Sequence, residues 1–538
     1  MADLYFIVPG TTLAAGGAEE VGNKAWNLMR MAQKHLPVPP AFVLPTRWCR
    51  RTGQSDDSAL RKTLADGIAR LETSTGLTYG AGRQPLLVSV RSGAAVSMPG
   101  MMETVLDVGL NAETVEGLIR LTGNPRLAWD SYRRLVQGYA EVVANLPTAP
   151  FDALVAAALV QAEADNEREL DHRSLRALTQ ALLDCYRALT GQAFPADPHQ
   201  QLADAVAAVF RSWDAPKAAS YRRLNGISDE AGTAVTIQRM VYGNAGGQSG
   251  AGVGFTRNPA TGAKEFYFDF QFNAQGEDVV AGRQKLRDND RLRLKLPVVW
   301  TRLNGICHEL EVLFGDAQDF EFTVQAGALF LLQARRAKRT DWAALAIAVD
   351  MVEERMITPP QALAKLDGIK LDTVARTTFA PPVPETLALA QVASMGVASG
   401  AIALDTAAVK RLVAAGIPAV LVRQDTSTAD VEGMALAAGI LTATGGRTSH
   451  AAVVARQLGK VCLVACPGLE IDLDRRQCRI GAAPLNEDDW LSLDGNSGAV
   501  HSGRLTPLTE RPERALAAIA NWRRATAAQS NEESRALS

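Results

Sequence analysis

The clearest apolar run in the N-terminal half is Leu86-Leu87-Val88-Ser89-Val90, which predicts a buried strand running into Arg91. Strand character returns over 234–242. Two further strands, 319–324 and 329–335, flank a turn at Gly327 and read as a hairpin. Strand alternation then sets Asp319, Glu321, Gln333 and Arg335 on one face. Leu175, Leu178, Leu182 and Leu189 recur at helical spacing, so residues 150–230 are predicted to form a helical subdomain. Helices are predicted at 342–354 and 357–369, before the semi-rigid spacer Pro381-Pro382-Val383-Pro384. From 392 to 505, short apolar runs separated by turns predict a compact β/α unit. Leu516, Ile519 and Trp522 then mark a helix over 511–524, with a polar tail after 528.

At 538 residues the chain is too long for one core and predicts three or four domains. Hydrophobic residues make up 47% and charged residues 21%, as in ordinary globular protein. The net charge of -2 gives no general attraction to nucleic acid or anionic membrane. Six scattered cysteines point to a reducing compartment, and Cys462 and Cys466 lack the second ligand pair of a zinc site. Neither a signal-peptide pattern nor an apolar run of about 18 residues occurs, so a cytoplasmic protein is expected.

Candidate chemistry lies at the element ends. Gly22-Asn23-Lys24 opens a helix and could bind a phosphate, although it lacks Walker A spacing and these residues alone favour a surface turn with a solvated lysine. Arg91 and the loop to Thr104 place a fixed cation and flexible backbone at a sheet edge; the alternative is an arginine paired to a carboxylate. The glycine-rich stretch 243–254 reads as a loop whose N–H groups can close on phosphate, acting as a lid. Oxygen donors on the 319–335 hairpin suit Mg²⁺, with a solvated sheet face as the alternative. Finally, Gly445-Gly446-Arg447-Thr448-Ser449-His450 leads into an apolar helical pattern. Ser449 is the expected N-cap, so His450 lies in the first turn, where helix dipole and free N–H groups favour an anion. A histidine that merely opens a helix is the plain alternative.

The 91–104 loop, Ala128-Trp129-Asp130-Ser131-Tyr132-Arg133-Arg134, the 243–254 stretch and residues 273–282 together resemble the nucleotide-binding domain of the pyruvate phosphate dikinase family. Asp425-Thr426-Ser427, Gly433-Met434 and 445–460 resemble its phosphohistidine domain. The resemblance implies an α/β (α+β) protein: an ATP-grasp domain at 1–340 with a helical subdomain at 112–230, a helical linker at 341–391, a swivelling phosphohistidine domain at 392–505, and a C-terminal helix and tail at 506–538. It implies ATP and Mg²⁺, with Lys24, Arg91, Arg134, Gln238, Met240, Val241, Gly250, Gly252, Glu277 and Arg335 binding nucleotide. Glu321, Gln333 and Asp319 would hold the metal, and His450, Arg91 and Arg335 would carry the chemistry.

By the same resemblance, His450 attacks the β-phosphate of ATP and releases AMP; inorganic phosphate then removes the outer phosphoryl group as pyrophosphate. Phosphoenolpyruvate synthases differ over 243–254 and 273–282, which favours phosphate over water as second acceptor. Arg447 stands where the family pattern has methionine, and Thr448 aligns with a position that regulatory kinases modify in some members. A barrel that binds pyruvate or phosphoenolpyruvate would follow residue 538, so a barrel-bearing partner chain is expected, and a homodimer is compatible. A non-catalytic ATP-binding subunit is the alternative reading. No nucleic-acid or membrane partner is expected.

Overall fold

The computed structural model describes residues 3–50, 57–96, 98, 101–276, 288–445 and 450–536. The chain begins with β1 (Tyr5–Ile7), α1 (Gly17–Gln33), β2 (Ala41–Leu44), α2 (Asp57–Thr75), β3 (Val88–Gly93) and β4 (Thr104–Val108). The helical segment follows as α3 (Ala112–Thr122), α4 (Pro125–Val142), α5 (Ala149–Gln161), α6 (His172–Thr190), α7 (Pro198–Arg211) and α8 (Pro216–Leu224), before β5 (Ala234–Arg239). The five strands form an antiparallel sheet in the order β1-β2-β5-β3-β4.

Alternation along β3 and β5 divides this sheet into two faces. Val88, Val90, Val235 and Ile237 join a core with Leu127, Leu135 and Val206 from the helices. Arg91 and Gln238 fall on the other face, toward α1. The leucine stripe of α6 is core at Leu175, Leu178 and Leu182, whereas Leu189 is 44% exposed. Leu189 lies in the last turn, just before the left-handed Gly191 cap.

A second antiparallel sheet contains β6 (Gly250–Phe255), β7 (Tyr267–Phe272), β8 (Gln318–Gln325) and β9 (Ala328–Arg336), in the order β9-β8-β6-β7. Between β7 and β8 run α9 (Asp288–Lys295) and α10 (Pro297–Phe314). Helix α1 is buried between the sheets, sharing a core with Val43 and Ala234 of the first and Phe320, Phe322 and Leu331 of the second.

The expected 243–254 loop is shorter than its glycine content suggests. Residues 243–249 are loop, but 250–255 form β6. Gly252 stands opposite Phe322, and Gly254 opposite Phe320. A Cβ would lie 2.4 Å from the Phe322 ring at Gly252 and 2.2 Å from the Phe270 ring at Gly250. These glycines therefore admit aromatic rings into the sheet's core, a local requirement of packing rather than of flexibility.

Next come α11 (Asp341–Glu353), α12 (Pro359–Lys365) and β10 (Arg376–Phe379). The following unit contains β11 (Thr386–Leu389), β12 (Gln391–Ser394), β13 (Val397–Ala403), α13 (Thr406–Ala414), β14 (Ala419–Arg423), α14 (Val431–Leu436), β15 (Gly439–Thr442), α15 (His450–Gln457) and β16 (Val461–Val464). A three-stranded sheet of β17 (Leu469–Asp472), β18 (Gln477–Ile480) and β19 (Ala483–Asn486) precedes β20 (Trp490–Asp494) and β21 (Ala499–Ser502). Eight strands share one sheet, β11-β21-β20-β13-β14-β15-β16-β12, with a parallel centre from β13 to β16.

The chain leaves through β22 (Pro507–Glu510) and α16 (Glu513–Ala536). Helix α16 continues well past the expected end of the helix. Its Ala515 and Ile519 pack with Leu345 and Met351 of α11 and Ala362 of α12, while β22 pairs with β10. The segments on either side of the phosphohistidine-like unit thus share one core. Among the described residues, no helix is long and apolar enough to cross a membrane.

Candidate active site

Lys24 owes its place to Gly22. Helix α1 kinks at Gly22, where φ is 76° and ψ is 151°. A Cβ there would sit 1.9 Å from the Gly93 carbonyl oxygen, so only glycine permits this approach to the end of β3. Asn23 N–H donates to Ala94 O at 2.9 Å, one residue before Lys24. Further along α1, the buried Asn27 donates through Nδ2 to Ala334 O at 2.9 Å, tying the helix to β9. The helix mouth is therefore pinned between the two sheets.

Arg91 projects from β3 on the α1 side. Its Nη1 donates to Gln238 Oε1 and to Leu332 O, each at 3.5 Å, and its Nη2 lies 3.6 Å from Glu321 Oε2. Gln238 is only 1% exposed and also donates from Nε2 to Pro39 O at 3.2 Å. Its side chain orients Arg91 and anchors the preceding loop.

The hairpin register pairs Asp319 with Arg335 and Glu321 with Gln333, so all four side chains share a face. Arg335 donates from Nε to Asp319 Oδ2 at 2.8 Å, and its Nη2 is at the same distance. That bidentate contact makes Asp319 a positioner of Arg335. Burial outweighs the arginine and raises the Asp319 carboxyl. Burial first, and then Arg91, draw the Lys24 ammonium down to about 7, with Glu321 opposing.

Met240 and Val241 are half-buried in the segment that passes from the first sheet to the second. Met240 N–H donates to Leu87 O at 2.9 Å, and Tyr242 N–H to Gln325 Oε1 at 2.9 Å. Next to them, the 243–249 loop is tied by several hydrogen bonds. Gly246 N–H reaches Asn273 Oδ1 at 3.2 Å, Ala326 N–H reaches Ser249 Oγ at 2.9 Å, and Gly327 N–H reaches Gln248 O at 2.9 Å. In this conformation it is a braced turn rather than an open lid.

Arg134 joins the loop indirectly. Its Nε donates to Asp130 Oδ2 at 3.2 Å, and Asn244 Nδ2 reaches the same oxygen at 3.4 Å. The arginines hold the Asp130 carboxyl below the ordinary range despite its burial. Asp130 is the hub that the sequence reading missed, although it lies inside the Ala128 to Arg134 stretch.

Glu277 lies outside the described residues, as do Ser97, Pro99 and Gly100 of the 91–104 loop and Gly446, Arg447, Thr448 and Ser449. His450 is the first residue of α15. Ala451, Ala452 and Ala455 of that helix are fully buried in a core with Cys462 and Val464. The first N–H groups of such a helix have no partner within it. Cys462 is thus a packed strand residue, its thiol pushed up to about 12 by burial. Among the described residues, no three His, Cys, Asp or Glu side chains gather as a metal site. Glu321 and Gln333 nevertheless supply paired oxygen donors of the kind Mg²⁺ uses when phosphates complete its shell.

Residues 56–301 match the family described as pyruvate phosphate dikinase, AMP/ATP-binding domain, and residues 417–498 match PEP-utilising enzyme, mobile domain. The chain thus carries two regions similar to the nucleotide-binding and mobile domains of pyruvate phosphate dikinases. It is 41% identical over 490 residues to the pyruvate, phosphate dikinase of Clostridium symbiosum, covering 90% of this chain and 56% of that one. The chloroplastic dikinase 1 of Zea mays is 41% identical over 492 residues, covering 90% of this chain and 52% of its own. The Rhizobium meliloti (strain 1021) dikinase is 38% identical over 532 residues, covering 95% and 59%. The chain therefore spans a little over half the length of these dikinases.

Proposed function

We infer that the protein is an ATP-dependent phosphotransferase that phosphorylates His450 and passes the group on. The observation that carries this reading is the convergence of Lys24 and Arg91 with Glu321, Gln333 and Arg335 from the opposite sheet. ATP would lie between the sheets, its phosphates on Lys24, Arg91 and Arg335 and its base against the backbone at Met240 and Val241. Gly250 and Gly252 would contribute backbone only, because their missing side chains serve the aromatic core. Arg134 would act through Asp130 and the braced turn. Glu321 and Gln333 would hold Mg²⁺, with the second oxygen of Asp319 as a further donor; the metal would offset phosphate charge.

A neutral His450 nitrogen attacks the β-phosphorus, the bond to the α-phosphate oxygen breaks, and AMP leaves. Inorganic phosphate then attacks the outer phosphorus and departs as pyrophosphate, leaving one phosphoryl group on His450. Arg91 and Arg335 stabilise the charge on the transferring group. Pyruvate as final acceptor rests on the relatives' names; its site would lie on another domain or on a separate chain. Six free cysteines are compatible with a reducing cytoplasm.

Incubation with β-³²P and γ-³²P ATP, with His450→Ala as control, tests this. Acid-labile label from the β-labelled nucleotide on the wild type alone is expected. No such label would sink the reading.

A further inference from the structure

We propose that residues 36–40 and a β-bulge at Leu332 form a positioning device for Arg91, holding its guanidinium through Gln238 and the Leu332 carbonyl before any nucleotide arrives. This deepens the function above and rests on it for the phosphate that Arg91 would meet.

Packing of the hairpin does not call for the bulge. Along β8, Phe320, Phe322 and Val324 enter the core at every second residue. Along β9 the core residues Leu331 and Ala334 are three apart, with Leu329 packed beside them. The register explains the longer step: Glu321 pairs with Gln333 and Phe322 with Leu331, so Leu332 is the inserted residue. Without it the alternation of β9 would be unbroken, with the same side chains in the core and Gln333 and Arg335 still on the site face. A bulge that the core does not need re-aims a group. Here the group is the Leu332 carbonyl, which accepts from Arg91 Nη1 at 3.5 Å.

A strip of acceptors closes the edge beside it. Strand β9 is the outer strand of its sheet, so its outward N–H and C=O groups need partners from elsewhere. Leu331 N–H donates to Pro37 O at 2.7 Å, and Ala334 O accepts from Asn27. Pro37, Pro39 and Pro40 have no N–H, and Val38 N–H is committed to Leu36 O at 2.8 Å. The strip therefore offers carbonyls and competes with no donor of its own. Pro39 O accepts from Gln238 Nε2 at 3.2 Å, and Pro40 O accepts from Arg239 N–H at 3.0 Å. Leu36 and Val38 bury their side chains in the core that holds Leu331, which fastens the strip to both sheets.

These bonds close a ring on Arg91. Its Nη1 donates to Gln238 Oε1 at 3.5 Å, and the other end of that amide rests on Pro39 O. Two residues back, Pro37 O holds Leu331, and the next carbonyl along β9 returns to Nη1. Arginine can only donate and a proline carbonyl can only accept, so the Gln238 amide has a single workable orientation. With both of its ends committed to protein groups, Gln238 acts through Arg91 rather than on the nucleotide. A ring that crosses two sheets and a proline strip leaves the guanidinium little freedom, so its direction is fixed by folding and not by the ligand.

The test is guanidinium NMR on the full unliganded chain carrying ¹³C,¹⁵N-labelled arginine, with Arg91 assigned through Arg91→Lys. Slow rotation of the Arg91 guanidinium is expected in the wild type. Gln238→Met, deletion of Leu332 and the pair Pro37→Gly/Pro39→Gly should each speed it by about fivefold or more, the worth of one hydrogen bond. Unchanged rotation in Gln238→Met would overturn the ring, in the deletion the bulge, and in the glycine pair the strip. A deletion variant that does not fold would show that packing requires the bulge, and would overturn its role equally. Rapid-quench labelling of His450 at saturating ATP gives the second readout. Gln238→Met should slow labelling by about tenfold and leave the dissociation constant for ATP within about threefold; in an Arg91→Met background it should cost nothing further. An additive loss, or weaker ATP binding at an unchanged rate, would overturn the positioning role. Absence of label on the wild type defeats the phosphotransferase reading alone, because the rotation rates still decide the ring.

Discussion

Arg91 Nη2 stands 3.6 Å from Glu321 Oε2, a pair whose members belong to different sheets. With Gln238 Oε1 and Leu332 O also in reach at 3.5 Å, acceptors from both sheets set the direction of one guanidinium. Arg91→Met should therefore slow His450 phosphorylation in a single turnover by about 10²–10³-fold, the usual cost of losing one preorganised charge-stabilising donor. Arg91→Lys should not restore it, because an ammonium cannot reach three acceptors in a planar fork. Rapid-quench labelling checks both.

Lys24 gives a pH dependence with a definite sign. Its folded value of about 7 is below the ordinary 10.5. Between those values the unfolded chain holds a proton that the folded chain has released, so stability from this group rises with pH across the window. Below it both states are protonated, and the cost of the buried charge is fully present. Lys24→Met should raise the melting temperature of the unliganded protein below pH 7 and have little effect near pH 10.5. Above pH 7, ATP binding should take up a proton, seen by calorimetry in buffers of different ionisation enthalpy, and Lys24→Met should abolish that uptake.

Gly22→Ala should be among the most damaging single changes in the N-terminal half. The added methyl would meet the Gly93 carbonyl at 1.9 Å in a left-handed backbone conformation. A loss of roughly 2 kcal/mol or more is expected, together with weaker ATP binding as Lys24 shifts. Urea unfolding and nucleotide titration of the same sample measure the two effects.

Glu311→Gln should destabilise the protein by about 3 kcal/mol, because it leaves the buried Arg257 guanidinium short of a counter-charge. Glu354→Gln, at a partly exposed carboxylate, should cost less. Thermal unfolding of the two variants side by side gives the ranking.

Much of the site was legible in the chain. The 319–335 hairpin could be read with its four polar side chains on one face because strand alternation is local, and the observed register pairs the same residues. Arg91 at the end of an apolar run was legible for the same reason. The glycine-rich stretch was misjudged in extent. Glycine signals both loop flexibility and room for a neighbour's ring, and only the aromatic partners distinguish the two.

By itself, the sequence determined several of the strands and helices though not their full extents, where the polar face of the hairpin lies, and that a histidine opens a helix late in the chain. Periodicity over a few residues is enough for that. Tertiary structure decided what depends on partners far away in sequence. It made Gly22 the residue that seats Lys24, Gln238 the support of Arg91, and Asp130 the brace between Arg134 and the turn. It also folded α16 back onto α11, although about 160 residues lie between them. Such contacts follow from chain crossovers and side-chain fit, which local pattern does not encode.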